Sequence, residues 1–253
     1  MLHFVGAGSG APDLITVRGM KLLQTADVII YAGSLVNPEL LGYAKEGCTV
    51  YDSASMTLED VIKTIEEAEK NSLMTVRLHT GDPSIYGAVR EQMDLLDGKN
   101  ISYEITPGVS SFCGAAAALK AEYTLPDVSQ TVIITRMAGR TPVPEKEDIS
   151  LLASHNASMV IFLSTSMLGE LSRKLIAGGY SPSSPAAIVY KATWPDEKVF
   201  RCTVSELEKT AKENNITKTA LITVGGFLGD SYERSKLYDP EFTHEYRTAE
   251  KKS

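Results

Sequence analysis

Leu2-His-Phe-Val-Gly-Ala-Gly-Ser-Gly-Ala-Pro12 carries an apolar run, Leu2–Val5, directly into a glycine-rich turn, Gly6–Pro12. The same arrangement recurs twice. Leu73–His79 runs into Thr80-Gly-Asp-Pro83, and Ile101–Ile105 runs into Thr106-Pro-Gly-Val-Ser-Ser111. A short apolar run that ends in a tight turn reads as a β-strand. Loops at the carboxyl ends of parallel strands are where open α/β sheets bind ligands. Three such turns, one holding an aspartate, predict a small molecule wrapped by main-chain groups.

Working outward, strand-like runs alternate with helical patterns as far as Leu119. Thr16 is a candidate N-cap for a helix over Val17–Ala26, and Val28–Tyr31 reads as the next strand. Thr57-Leu-Glu-Asp60 has the form of a capping box ahead of Leu58, Val61, Ile62, Ile65 and Ala68, which recur at helical spacing. Further helices are predicted over Ile85–Leu96 and Phe112–Ala121. This alternation implies βαβ units and a mainly parallel sheet.

Tyr123-Thr-Leu-Pro-Asp127 breaks the pattern and marks a boundary. Beyond it Thr131–Arg136, Met159–Leu163, Ala186–Tyr190 and Ala220–Val224 read as strands, with helices over Met167–Ala177 and Val204–Asn214. Lys198–Cys202 is expected to pair antiparallel with the strand before it, because only a short turn joins them. The fold class expected is therefore two α/β domains, residues 1–121 with a parallel sheet and 122–253 with a mixed one. The ligand site is expected in the cleft between them. A polar tail starts at about residue 230, and its Lys251-Lys252 end is expected to fray.

Composition narrows the function. The 253 residues are 43% hydrophobic and 23% charged, as in ordinary globular proteins. A formal charge of −7 argues against nucleic acid as a partner. Cys48, Cys113 and Cys202 are scattered, as are His3, His79, His155 and His244, so no metal-ligand spacing exists and no protein-bound metal is expected. Met1 leads straight into a strand, and no apolar stretch approaches spanning length, which predicts no secretory signal, no membrane partner and a cytoplasmic location.

The opening turn is not a dinucleotide fingerprint. That motif needs a later third glycine and a helix starting within it, whereas Pro12-Asp-Leu14 delays the helix to Thr16. The second strand also ends in Tyr31-Ala-Gly33, without the acidic residue a ribose needs. Gly81-Asp82-Pro83 admits two readings: an acceptor aimed at a ligand, or a cap for the helix that follows. Pro107-Gly108 with Ser110-Ser111 offers hydroxyls and amides suited to a carboxylate, or plain helix capping.

In order and spacing these turns resemble those of the tetrapyrrole (uroporphyrin-III C/corrin) methyltransferases, and the likeness covers nearly the whole chain. It rests on Gly6–Thr16, Gly81–Pro83 and Pro107–Ser111. Ile133–Arg136, Gly139–Pro144, Tyr190–Asp196, Leu35–Asn37 and Asp52–Ala54 resemble the branch that methylates precorrin-4 at C-11, in its anaerobic, cobalt-containing form. Ser9 and Ala11 depart from the proline and aspartate usual there, in a loop expected to act through its backbone.

The resemblance implies S-adenosylmethionine as methyl donor and S-adenosylhomocysteine as product. It places Pro12, Gly81, Asp82, Ile85, Ser110, Ser111, Leu163, Ala192 and Ala220 around the donor. Arg136, Arg140 and Lys191 are the candidates for the carboxylates of a tetrapyrrole substrate. Tyr86 and Glu91, taken to lie within about a helical turn and a half of each other, are the candidate catalytic pair. A homodimer is expected. The alternative is a sibling that methylates another ring position, precorrin-4 without cobalt, or the related diphthine synthase.

Overall fold

Every residue of β1 (Leu2–Gly6) is buried, as a strand covered on both faces requires. In the computed structural model, which describes residues 1–249, β1 joins β2 (Val28–Tyr31), β3 (Thr49–Asp52), β4 (Thr75–His79) and β5 (Tyr103–Thr106). The five form one sheet in the order β3-β2-β4-β1-β5, and every pairing in it is parallel. Leu2, Phe4, Val28 and Ile30 pack on one face against Val61, Ile62 and Ile65 of α2 (Leu58–Lys70) and Leu96 of α3 (Arg90–Gly98). Val5, Ile29, Val76 and Leu78 pack on the other against Leu23 of α1 (Val17–Thr25) and Leu40. Each such side chain contributes about 1.5–3 kcal/mol by leaving water.

The local signals operate as expected. The Thr16 hydroxyl accepts from the Gly19 amide at 3.1 Å, and Thr57 with Asp60 closes a full capping box on α2. α4 (Ser111–Leu119) follows β5.

The second sheet is mixed. It contains β6 (Val132–Arg136), β7 (Ser158–Phe162), β8 (Pro185–Tyr190), β9 (Lys198–Thr203) and β10 (Ala220–Val224), in the order β6-β7-β10-β8-β9. Only β6 and β7 pair in parallel, and β8 meets β9 antiparallel as the short turn between them requires. Its core gathers Met159, Ile161, Ile188 and Ile222 with Leu171 and Leu175 of α6 (Leu168–Ala177) and Leu207 of α7 (Leu207–Glu213). Ile149 comes from the short α5 (Ile149–Ala153).

Two compact units result. One is Met1–Ala115 together with Lys191–Glu197, the turn that joins β8 to β9; the other takes Ala116–Tyr190 and the chain from Lys198 onward. Among the described residues no helix is long and apolar enough to cross a membrane. Among the described residues after Gly229 most are exposed, and they hold one 3₁₀ turn, Lys236–Tyr238. Lys251-Lys252 lies outside the described residues.

Two expectations change, and one strand carries no sequence signal. The helix expected from Ile85 starts only at Arg90, because Tyr86 (φ 53°) and Ala88 (φ 49°) are left-handed and no helix passes through such residues. The helix expected over Val204–Asn214 opens with a 3₁₀ turn, Val204–Glu206, before α7. β3 went unread because all four of its residues are exposed and lack an apolar run.

Candidate active site

β4, β1 and β5 are neighbours in the sheet, so the three glycine turns that follow them stand side by side at its carboxyl edge. They are stitched to one another. The Ala7 amide donates to the His79 carbonyl at 2.7 Å, and Gly8 and Gly81 exchange backbone hydrogen bonds at 3.2 and 3.0 Å. A Cβ on Gly108 would fall 2.1 Å from the Gly81 carbonyl oxygen and 2.7 Å from Gly6 Cα; one on Gly6 would meet Gly108 and Gly81 at 2.6 Å. At these positions glycine is required first by the neighbouring turns.

Asp82 braces the same edge. One carboxylate oxygen, Oδ1, accepts from the Ser84 amide at 2.8 Å and from the Ser84 hydroxyl; the other, Oδ2, accepts from the Gly108 amide at 2.8 Å. Partial desolvation pushes its pKa up, but the Ser84 hydroxyl and the Gly108 and Ser84 amides outweigh it and hold the carboxyl below its ordinary value. Asp82 therefore caps a tight turn rather than the first turn of α3, and ties the second glycine turn to the third. Ser110 is buried just before α4, and Ser111 opens that helix. Gly81 (φ 61°) and half-buried Ile85 complete the segment.

The late start of α3 separates the proposed catalytic pair. Tyr86 sits in the left-handed turn, 45% exposed, while Glu91 is an exposed residue in the first turn of α3. The helical spacing that joined them does not exist.

The first turn has its own brace, from Lys191–Glu197. The Thr193 hydroxyl oxygen lies 3.1 Å from that of Ser9 and accepts from the Ala11 amide at 3.0 Å. Asn37 donates to the Gly10 carbonyl at 2.9 Å. Trp194 lies where a Cβ on Gly10 would be, 2.2 Å from its Cδ1, so this tryptophan packs from a loop onto backbone. Ala192 is buried beside it, and Pro12 begins a 3₁₀ turn, Pro12–Leu14. Lys191 pairs with Asp196 at 2.7 Å and lies 5.4 Å from the Trp194 ring centre. The Ser9 hydroxyl is thus engaged within the protein, by Thr193. Thr193 itself was missed; its only sequence signal was a place in the Tyr190–Asp196 segment.

In the second unit Arg136, Leu163 and Ala220 share one sheet edge. Arg136 faces Phe162 at the ends of the parallel pair β6 and β7, and Ala220 starts the antiparallel β10. Arg136 donates to the carbonyls of Met137 and Thr141 at 3.2 Å each and of Pro142 at 2.7 Å. Its guanidinium shapes the loop that carries exposed Arg140. Leu163 is 65% exposed at φ 52°, an apolar side chain held outward by a conformation leucine rarely adopts. The Ala220 carbonyl accepts from the Thr165 hydroxyl at 3.2 Å.

Among the described residues no three His, Cys, Asp or Glu side chains converge. The carboxyl edge of the first sheet offers backbone groups, serine hydroxyls and one ionised carboxylate, a donor set that suits a zwitterion carrying an extra positive charge.

Comparison with known proteins places this architecture. Residues 1–208 match the family model of tetrapyrrole (corrin/porphyrin) methylases, and the chain belongs to that family. It is 53% identical to the cobalt-precorrin-4 C(11)-methyltransferase of Methanocaldococcus jannaschii over 98% of this chain and 96% of the relative. A precorrin-4 C(11)-methyltransferase of Mycobacterium tuberculosis is 42% identical over 94% of this chain and 95% of its own length. The X-ray structure of a cobalt precorrin-4 methyltransferase of cobalamin biosynthesis superposes with a TM-score of 0.89 at 48% identity, covering 90% of this chain and 96% of that one.

Proposed function

We propose that this chain methylates cobalt-precorrin-4 at C-11, with S-adenosylmethionine as donor, in cobalamin biosynthesis. The observation that carries the reading is the stitched carboxyl edge at Gly6, Gly81 and Gly108, in a chain this similar to cobalt-precorrin-4 methyltransferases along its full length. The greater identity to the cobalt-named relative than to the cobalt-free one supports the cobalt form over precorrin-4 itself.

S-adenosylmethionine supplies an electrophilic methyl group on a sulfonium. Direct displacement by a carbon nucleophile needs alignment and the exclusion of water more than acid–base chemistry. Gly81, ionised Asp82 and Ile85 line the donor in this reading, with Ser110 and Ser111 at its amino-acid end. Leu163, Ala192 and Ala220 offer apolar surface to the adenine, and Pro12 shapes the floor beneath the substrate. Arg140 and Lys191 meet substrate carboxylates, and Arg136 sets the loop on which Arg140 rides. Tyr86 touches substrate from its turn, and Glu91 handles the proton that leaves. A homodimer in the cytoplasm completes the proposal.

Incubation with isotope-labelled S-adenosylmethionine and cobalt-precorrin-4, followed by NMR location of the new methyl, tests the assignment. A methyl group anywhere but C-11 overturns it. Full turnover in Glu91→Gln with an unchanged pH profile removes the proton-transfer role, and light scattering on the purified protein tests the dimer.

A further inference from the structure

Arg77 lies in the middle of β4, 6% exposed, and among the described residues no carboxylate pairs with it. A buried cation without a counter-ion is unfavourable unless its donors are well used. Burial pulls its pKa down to about 10, so it is charged at neutral pH. Its Nη1 donates to the Ile30 carbonyl at 3.1 Å, and its Nε donates to Oε1 of Gln92 at 3.2 Å. Gln92 is itself buried in α3. The guanidinium can only donate, so it fixes the Gln92 amide with its oxygen toward Arg77 and its nitrogen outward. That nitrogen donates to the Ala88 carbonyl at 2.8 Å. Ala88 is left-handed, as is Tyr86 two residues before it, and together they delay α3.

We infer that Arg77 and Gln92 are positioning residues for the methyl donor: the relay Arg77–Gln92–Ala88 holds the Ile85–Val89 turn in its left-handed form and so shapes the donor side of the site. Neither residue needs to touch donor or substrate. The relay explains why an arginine occupies a sheet interior and why a glutamine is buried in an otherwise ordinary helix. The inference rests on the proposed reading that Gly81–Ile85 contacts S-adenosylmethionine.

Gln92→Glu is the discriminating substitution. It keeps an acceptor for Arg77 Nε but sets a second acceptor against the Ala88 carbonyl, so the relay breaks while the arginine gains a counter-charge. Titration of S-adenosylhomocysteine by calorimetry is expected to give a dissociation constant raised about tenfold (about 1.4 kcal/mol). Adding Ala88→Gly in the same chain should return affinity to within about threefold of the wild type, because glycine enters positive φ unaided. A merely structural role moves the melting temperature and leaves the affinity of the folded fraction alone. Unchanged affinity in Gln92→Glu overturns the inference, as does a loss that Ala88→Gly leaves unrelieved. A wild-type protein that binds no S-adenosylhomocysteine overturns the donor-site reading itself, an outcome separate from either.

Discussion

The two sheets are equal in strand number and unlike in what they do with their edges. In the first, all five strands run the same way, so every carboxyl end falls on one side, and the neighbours β4, β1 and β5 end in glycine turns, the first two sharing backbone hydrogen bonds and the third joined to them through Asp82. In the second, β10 runs against β7 and β8, so the corresponding edge mixes strand ends with strand starts. No glycine is packed there as Gly108 is. That edge presents Arg136, Leu163 and Ala220, with side chains in place of bare backbone. The first edge is main chain packed too closely for a Cβ at Gly6 and Gly108, and the second offers apolar and basic side chains.

The largest expected effect tests the first half of that contrast. Gly108→Ala would set a Cβ 2.1 Å from the Gly81 carbonyl oxygen, a clash with backbone that no rotamer relieves. Urea denaturation should report a loss of about 3 kcal/mol or more, the upper range for overpacking. By contrast Leu163→Gly places glycine where φ is already 52°. It should leave stability within about 1 kcal/mol, since relief of strain offsets the added freedom of the unfolded chain, while S-adenosylhomocysteine binds more weakly. A stable Gly108→Ala protein, or a Leu163→Gly protein that unfolds, breaks the comparison.

Next in size is Asp82→Asn. An asparagine oxygen can accept at the Ser84 group or at the Gly108 amide but not at both, and its nitrogen opposes whichever donor it faces. The loss of one charge-assisted bond is expected to lower stability by about 1.5–3 kcal/mol. It should also weaken S-adenosylhomocysteine binding, because the second and third turns come apart. Unaltered unfolding curves would mean that the two turns hold together without the carboxylate.

This contrast also governs what could be read from sequence. The three glycine turns, the parallel order they imply, and the capping residues Thr16 and Thr57 were legible, because turn chemistry and helix capping act over a few residues. The antiparallel β8–β9 pairing was legible for the same reason. The late start of α3 was not, since the left-handed residues are Tyr86 and Ala88, side chains that give no such signal, and the relay that holds them runs through Gln92 to Arg77 in another element. Nor was the stitch itself: a glycine needed for a ligand and one needed for a neighbouring turn look alike in sequence. Nor was the role of the Ser9 hydroxyl legible, because its partner, Thr193, lies 184 residues away.

A further effect concerns pH. His79, behind the second glycine turn, is buried beside Arg77, and burial first, then the Arg77 charge, pull its pKa down to about 3. Among the described residues its Nε2 has no hydrogen-bond partner. In the unfolded chain a histidine takes a proton near pH 6.5, so between about 3 and 6.5 the unfolded state binds the proton that the folded state refuses. Stability from this residue is therefore complete above pH 6.5 and is lost as pH falls toward 3, with a slope of at most about 1.4 kcal/mol per pH unit. Desolvation also lowers the pKa of His3, which adds in the same direction. Melting temperature measured from pH 7 down to 4 should fall, and His79→Gln should flatten part of that fall. An unchanged slope in the variant would mean that acid enters elsewhere.

The smallest effect separates the brace on the first turn from the turn itself. Thr193→Val keeps the shape of the side chain and removes the oxygen that accepts from the Ala11 amide and meets the Ser9 hydroxyl. Two partly buried groups then lose a partner, and stability is expected to drop by about 1–2 kcal/mol. Gly6 and Gly8 remain held by Gly108 and Gly81, so the carboxyl edge keeps its form and S-adenosylhomocysteine should bind as before. What changes is the Ser9–Pro12 arm, the part proposed to face the macrocycle, so the KM for cobalt-precorrin-4 should rise while kcat holds. If donor affinity falls together with substrate affinity, the arm and the stitched edge are one mechanical element. The division between a backbone cradle for the donor and a braced arm for the substrate would then have to be redrawn.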